Sequence, residues 1–400
     1  MANIYNGNYE VMKQEIEYLL NSIHKSNDSY DKLNLYSACE LLIYSYWSAN
    51  PDGINYYRQL EHNKAFILEQ RNRIKRLESN SLNDFLSKKE FHLDFCERFL
   101  KGVSEIEYSD LSSYKYGNTK IAPSDKYALF IEFLENYYPN YIELFNYLVN
   151  NGRIFKINSL EEAESNYSYD ASGVSIYNPY SLEYYIFVKE NKVSGIELAS
   201  LAHEFGHVCD YENLIDNTSK KDYSYYTFKS PFIETISSML ELEFSDFCIN
   251  NHLDINATKA DLQDFYLNII YHFSELNLIC NLPDYILKSD KYKNISKEKL
   301  YKIASESCEL AVDCDDFCEP QELNYNYNIE YGYGRFLATY FNYLRKNNPS
   351  KFSESFDRFL KIRNGYFPEN LYQELGTTIE DMSKIVKEEI SSSDIKIYIK

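Results

Sequence analysis

His203-Glu204-Phe205-Gly206-His207 constrains this chain more than any other stretch. The pattern is H-E-x-x-H, and it has chemical meaning only on a helix. Two histidines at i and i+4 stand one above the other on one helix face, so both imidazoles reach a single metal ion. The glutamate beside the first histidine can act as general base on a water at that metal. The plainer alternative is a helix with two ordinary surface histidines. That alternative asks nothing more of the chain, whereas a metal centre asks for a third ligand.

The surrounding residues favour a helix. Ser194-Gly195-Ile196-Glu197 fits the capping box S-x-x-E, which starts a helix shortly before the motif. Leu198, Leu201, Ala202, Phe205 and Val208 supply its apolar face. His203 and His207 therefore sit two to three turns inside a helix, where the backbone is rigid.

A catalytic zinc takes three protein ligands and leaves one position for water. Downstream, Ser230-Pro231 reads as a helix start, a cap residue followed by proline at the first position. Glu234 and Glu241 follow on one face of that helix, seven residues apart. One of them can bind the metal while the other orients a ligand histidine from behind. Asp210, Glu212, His252 and His272 compete for the same role. Asp210 and Glu212 stand too near the motif to fold back onto it easily, and a lone histidine more often serves structure.

The whole chain narrows the partners. Its 400 residues are 44% hydrophobic, enough for a sizeable core. Lys+Arg number 41 against 61 Asp+Glu, a formal net charge of −20 that repels nucleic-acid phosphates and anionic lipid. The 8 Cys include no C-x-x-C and read as reduced thiols filling apolar space. The start, Met1-Ala2-Asn3-Ile4-Tyr5, lacks the basic and apolar segments of a secretory signal. No stretch approaches the roughly 18–20 apolar residues of a membrane span. A cytoplasmic protein with no nucleic-acid or membrane partner is expected. The 41 Tyr read as compositional bias rather than as a stacking surface.

Most of the chain reads as helix. Val11, Met12, Ile16, Leu19, Leu20 and Ile23 form an amphipathic stripe. A second helix, Leu33 to Trp47, stops before the turn cluster Asn50-Pro51-Asp52-Gly53. A charged helix over about 55–80 carries Arg71, Arg73, Lys75 and Arg76, and further helix follows around Ser81 to Val103. Residues 104–122 are polar, so a boundary is placed there: 1–120 an N-terminal helical region, 121–400 a catalytic region. Pro123-Ser124-Asp125 starts a helix, Pro139 breaks it, and Asn150-Asn151-Gly152 ends the next. Val174-Ser175-Ile176-Tyr177 and Tyr184-Tyr185-Ile186-Phe187-Val188 are β-branched and aromatic runs around Asn178-Pro179-Tyr180-Ser181, a hairpin pattern.

Together these segments resemble the thimet oligopeptidase and oligoendopeptidase F metallopeptidases, over about residues 120–400. Leu201-Ala202-His203-Glu204-Phe205-Gly206-His207 looks like that family's zinc helix. Glu234, Ser237, Ser238 and Glu241 match its E-x-x-S-[ST]-x-x-E segment, which implies Glu234 as third zinc ligand. The hairpin through Tyr184-Val188 stands where the family has substrate-flanking strands. Glu330-Tyr331-Gly332-Tyr333 resembles its tyrosine-rich loop and helix, and Phe359 to Gly376 has the spacing of its C-terminal helices. Two departures stand out. Family members are often considerably longer, and they place a histidine before the tyrosine pair, where this chain has Tyr325 or Tyr327.

The resemblance implies a mainly α, helical zinc-metallopeptidase (gluzincin) fold with a small β-hairpin or sheet flanking an active-site channel. It implies one Zn²⁺ per chain, held by His203, His207 and Glu234, with Glu241 behind them. Glu204 serves as general base, and Tyr333, with Tyr331 or Tyr327, donates to the oxyanion, Tyr331 and Tyr333 flanking Gly332 in a loop that meets substrate. The expected function is hydrolysis of short peptides. The alternative is a catalytically weak or inactive peptide-binding zinc protein of the same descent, to which the missing histidine points. A metal-sensing, DNA-linked regulator is disfavoured by the net charge and by the lack of a basic helix-turn-helix.

Overall fold

The computed structural model describes residues 4–27, 29–50, 52–63, 85–103, 107–108, 123–157, 173–178, 181–189, 194–215, 231–253, 255–288, 299, 303, 325–363, 371–392 and 397–398. Among them the fold is mainly α with a small three-stranded sheet, the class expected. The expected boundary at residue 120, the Arg71–Arg76 stretch and the Ser230 cap lie outside the described residues.

The chain divides into two compact units. The first comprises Met1–Leu77, Tyr116–Ser224 and Glu243–Thr258. Its N-terminal helices are α1 (Tyr9–Lys25), α2 (Ser29–Ala49) and α3 (Gly53–Glu61). The Asn8 side chain caps α1 by accepting from the amides of Glu10 and Val11. The α1 stripe is buried as its periodicity requires: Met12, Ile16, Leu19, Leu20 and Ile23 enter one core with Leu35, Cys39 and Leu42 of α2. Next come α5 (Pro123–Tyr137), a 3₁₀ turn at Pro139–Tyr141 and α6 (Ile142–Asn150). The helix α6 ends where Gly152 adopts φ +62, and Arg153 N–H reaches back to the Leu148 carbonyl at 2.9 Å.

The sheet has the order β2-β4-β3: β2 (Ile154–Ile157), β3 (Gly173–Asn178) and β4 (Glu183–Lys189). The expected hairpin is β3–β4, antiparallel, with Tyr177 opposite Tyr184. The strand β2 adds to it in parallel, pairing Ile154 with Ile186, and has no counterpart in the sequence reading. Four residues are too few to show alternation, so pairing partners rather than local pattern create this strand. Alternation along β3 sends Ile176 to the α1–α2 core and Gly173, Ser175 and Tyr177 to the other face. Helix α7 (Ser194–Ile215) packs against both strands of the hairpin.

The second unit comprises Glu78–Lys115, Tyr225–Leu242 and Lys259–Lys400. It holds α4 (Lys89–Val103), the start of α8 (Glu234–Asn250), most of α9 (Ile255–Asn281), the short α10 (Asp284–Leu287), and α11 (Tyr325–Asn347). Helices α12 (Pro349–Ile362), α13 (Leu371–Leu375) and α14 (Ile379–Ser392) complete it. A two-residue strand β1 (Glu107–Tyr108) pairs with β5 (Ile397–Tyr398). Its core is aromatic: Phe95 and Phe99 of α4 meet Phe273 of α9 and Phe336 of α11, at centroid separations of 4.7–5.8 Å. Cys39, Cys96, Cys209, Cys248 and Cys280 are buried free thiols, as expected of apolar fillers. No helix among the described residues is long and apolar enough to cross a membrane.

Candidate metal centre

Helix α7 separates its two jobs by periodicity. Leu198, Leu201, Ala202, Phe205 and Val208 are fully buried. Phe205 packs edge-on against Phe145 at 5.3 Å and Phe130 at 6.1 Å. This contact locks the helix, and the opposite stripe carries His203, His207 and Tyr211 at four-residue intervals. The two imidazole rings stand 5.0 Å apart at 81°.

Glu204 is held from the sheet. Ser175 Oγ on β3 lies 2.7 Å from the Glu204 carbonyl oxygen and 2.8 Å from its Oε2, and donates to either. Gly173, two residues earlier on the same strand face, leaves the room this needs. A Cβ added there would stand 2.7 Å from Glu204 Cγ and 2.8 Å from Oε1. The carboxylate is 5% exposed, so its charge depends on such donors. Neither Ser175 nor Gly173 was singled out from sequence. Alternation within the hairpin puts both on one face, but only the packing of α7 on that face reveals what they touch.

Glu234 opens α8 and is 7% exposed. Ser237 Oγ donates to its carbonyl at 3.1 Å and lies 3.3 Å from Oε2. Gly334 of α11 packs tightly against it: a Cβ there would fall 2.6 Å from Glu234 Cβ. Glu241 lies two turns further along α8 and is half-buried. With His203 and His207, Glu234 makes up a group of described residues whose donor atoms could hold one metal ion. Two imidazoles and one carboxylate match the donor chemistry of zinc.

Two of the competing ligands, Glu212 and His272, are engaged elsewhere. His252 is exposed, and the Tyr184 hydroxyl donates to the Glu212 carboxylate. His272 is buried, with Nδ1 2.9 Å from Asn328 Oδ1. Burial holds its pKa down at about 4, so it is neutral near pH 7.

The tyrosines require a correction. Residues 331–333 were expected in a loop, with both tyrosines facing substrate. They lie inside α11, where residues two apart point about 200° apart around the axis. Tyr333 is fully buried, and its hydroxyl lies 3.0 Å from His92 Nδ1 in the aromatic core. Gly332 serves packing as well, facing Phe273 and His272. Tyr327 and Tyr331, one turn apart with rings 4.5 Å from each other, share the α11 face that carries Gly334. Tyr331 stacks on His272 at 5.6 Å, and Tyr327 meets it edge-on at 5.3 Å. Glu330, on the same face, is a half-buried carboxylate whose pKa is pushed up to about 8 by burial and by Glu234. Nothing in the sequence distinguishes it among 61 acidic residues.

No protein-family model matches the chain, and no curated protein is similar to it in sequence. One solved structure, described as a "putative peptidase" from Chlamydophila abortus, is similar at 14% identity and a TM-score of 0.48. The match covers 91% of this chain and 63% of that one, so the chain spans less than two thirds of that protein's length. At this identity and score the likeness says nothing about activity.

Proposed function

We propose that the chain is a zinc-dependent metalloendopeptidase that hydrolyses short peptides. The observation that carries this reading is the pair His203 and His207 on one face of α7, rings 5.0 Å apart, beside a buried Glu204 held by Ser175, with Glu234 as the third donor of the set. A zinc ion held by those three residues would lower the pKa of water to about 7 and polarise the scissile carbonyl. Glu204 takes the proton of the attacking water and passes it to the leaving amine. Ser175 keeps that carboxylate aimed, so no rotamer search precedes the transfer. Tyr327 or Tyr331 donates to the developing oxyanion, the role from which burial removes Tyr333.

The strand β3 supports the choice of substrate. It lies at one end of the sheet order, with β4 on one side and, among the described residues, no strand on the other. An extended peptide can add to such an edge through its backbone. Only an unfolded segment has backbone free to do so, hence short peptides.

The burial of Tyr333 favours a second reading, a peptide-binding zinc protein with weak or no turnover. Digestion of a mixed peptide pool, read by mass spectrometry with and without chelator, separates the two. The first reading predicts internal cleavages that disappear with chelator. Unchanged peptides, bound but intact, would leave only the second.

A further inference from the structure

The face of α7 that carries the metal histidines does not end at His207. Tyr211 follows one turn later, and its ring stacks on His207 at 6.4 Å and 27°. From there an aromatic wall continues onto the hairpin. Tyr211 lies 5.9 Å from Tyr177 and 6.5 Å from Tyr184, and Tyr177 stacks on Tyr184 at 5.0 Å. The rings are near-parallel, with interplanar angles of 32°, 7° and 30°. The Tyr184 hydroxyl donates to Glu212, which fixes the base of the wall.

Ordinary packing does not account for this cluster. On the opposite side of α7, Phe130, Phe145 and Phe205 are all fully buried. Tyr184 is buried too, but Tyr177 and Tyr211 are half-buried. Tyr177 also stands on the strand face that carries Ser175 and Gly173, the two residues that touch or clear Glu204. The wall and the general base are thus served by one edge strand.

Spacing sets which part of a peptide would meet the wall. Tyr211 is one turn beyond His207, about 6 Å along the helix axis. An extended peptide advances about 3.4 Å per residue, and every second side chain shares a face. We propose that Tyr177, Tyr184 and Tyr211 form a subsite for an apolar, preferably aromatic, side chain two residues from the scissile bond. The proposal rests on the peptidase reading above and adds its sequence preference. Half-buried tyrosine rings beside the metal helix offer stacking or edge contact to an incoming ring.

The test uses short Ala/Ser peptides in which one Phe is moved along the chain. Wild-type protein with zinc is expected to cut mainly two residues from the Phe. Catalytic efficiency should exceed that on the Phe-free peptide by about ten-fold, the scale of burying one large apolar side chain. Tyr211→Ala and Tyr177→Thr, each checked for a wild-type melting curve, should lose both the positional preference and the gain. The same ratio should appear in peptide affinity to Glu204→Gln, by calorimetry, and vanish when either tyrosine substitution is added. Cleavage without regard to the Phe, or tyrosine variants that keep the preference, would overturn the subsite and leave the peptidase reading standing. Selective binding of Phe peptides without any cleavage by wild type would keep the subsite and sink the peptidase reading. Equal binding of all peptides would also overturn the subsite.

Discussion

Helices α7 and α11 each carry a short motif picked out by sequence, and only one of them behaves as its spacing suggested. The α7 motif spaces its histidines by four, so a helix automatically stacks them, and the structure puts them 5.0 Å apart. The α11 motif spaces Tyr331 and Tyr333 by two, which in a helix sends one tyrosine outward and the other into the core. Four-residue spacing is robust to being helical, whereas two-residue spacing makes sense only in a loop or strand. The α11 residues that share a face are Tyr327, Glu330, Tyr331 and Gly334, at the i, i+3, i+4 and i+7 positions.

This contrast is open to attack by mutation. The largest effect is expected at the α7 motif. Glu204→Gln should lower kcat by about 10³-fold, because it removes the proton acceptor and spares the ligands. Metal analysis should find as much zinc as in wild type.

On α11, Tyr327→Phe or Tyr331→Phe should lower kcat by about 10²-fold, the cost of one lost oxyanion donor. Tyr333→Phe should leave kcat unchanged. It should instead cost about 1–2 kcal/mol in denaturant unfolding, since it strips a buried partner from His92 Nδ1. A reversed pattern, with Tyr333→Phe crippling turnover, would restore the loop interpretation.

Ser175→Ala is expected to lower kcat by about ten-fold with little change in KM, since it loosens Glu204 and leaves the metal ligands alone. An unchanged kcat would mean that the strand contact does not position the base.

The smallest effect concerns Glu330 in metal-free protein. Its pKa stands near 8, above the ordinary 4.5, so the fold favours the protonated form. Its contribution to stability is complete below about pH 4.5 and is lost as pH rises through about 8. Glu330→Gln should therefore raise the melting temperature by about 2–4 °C at pH 8.5 and change little at pH 5. Equal shifts at both pH values would show that Glu330 ionises freely.

Sequence made legible whatever depends on local period. The α1 stripe, the hairpin and the histidine pair follow from repeats of 3.6 or 2, and the start of α7 at Ser194 from its capping pattern. What was not legible depends on partners distant in sequence. The strand β2 exists because β4 is there to pair with it. Ser175 and Gly173 matter because α7 crosses their face. His272 finds Asn328 fifty-six residues away, a contact no periodicity encodes. Tyr333 misled because glycine between two tyrosines looks like a turn, while the surrounding 23-residue helix overrides that local signal.

The central claim is that Glu204 works beside a metal held by His203, His207 and Glu234. It is tested most directly by assaying a quenched-fluorescent peptide library with wild type and Glu204→Gln at equal zinc content. Wild type should cleave, stop when chelator is added and recover with zinc, while Glu204→Gln stays silent throughout. Cleavage by Glu204→Gln at the wild-type rate, or wild-type cleavage indifferent to chelator, would contradict the account.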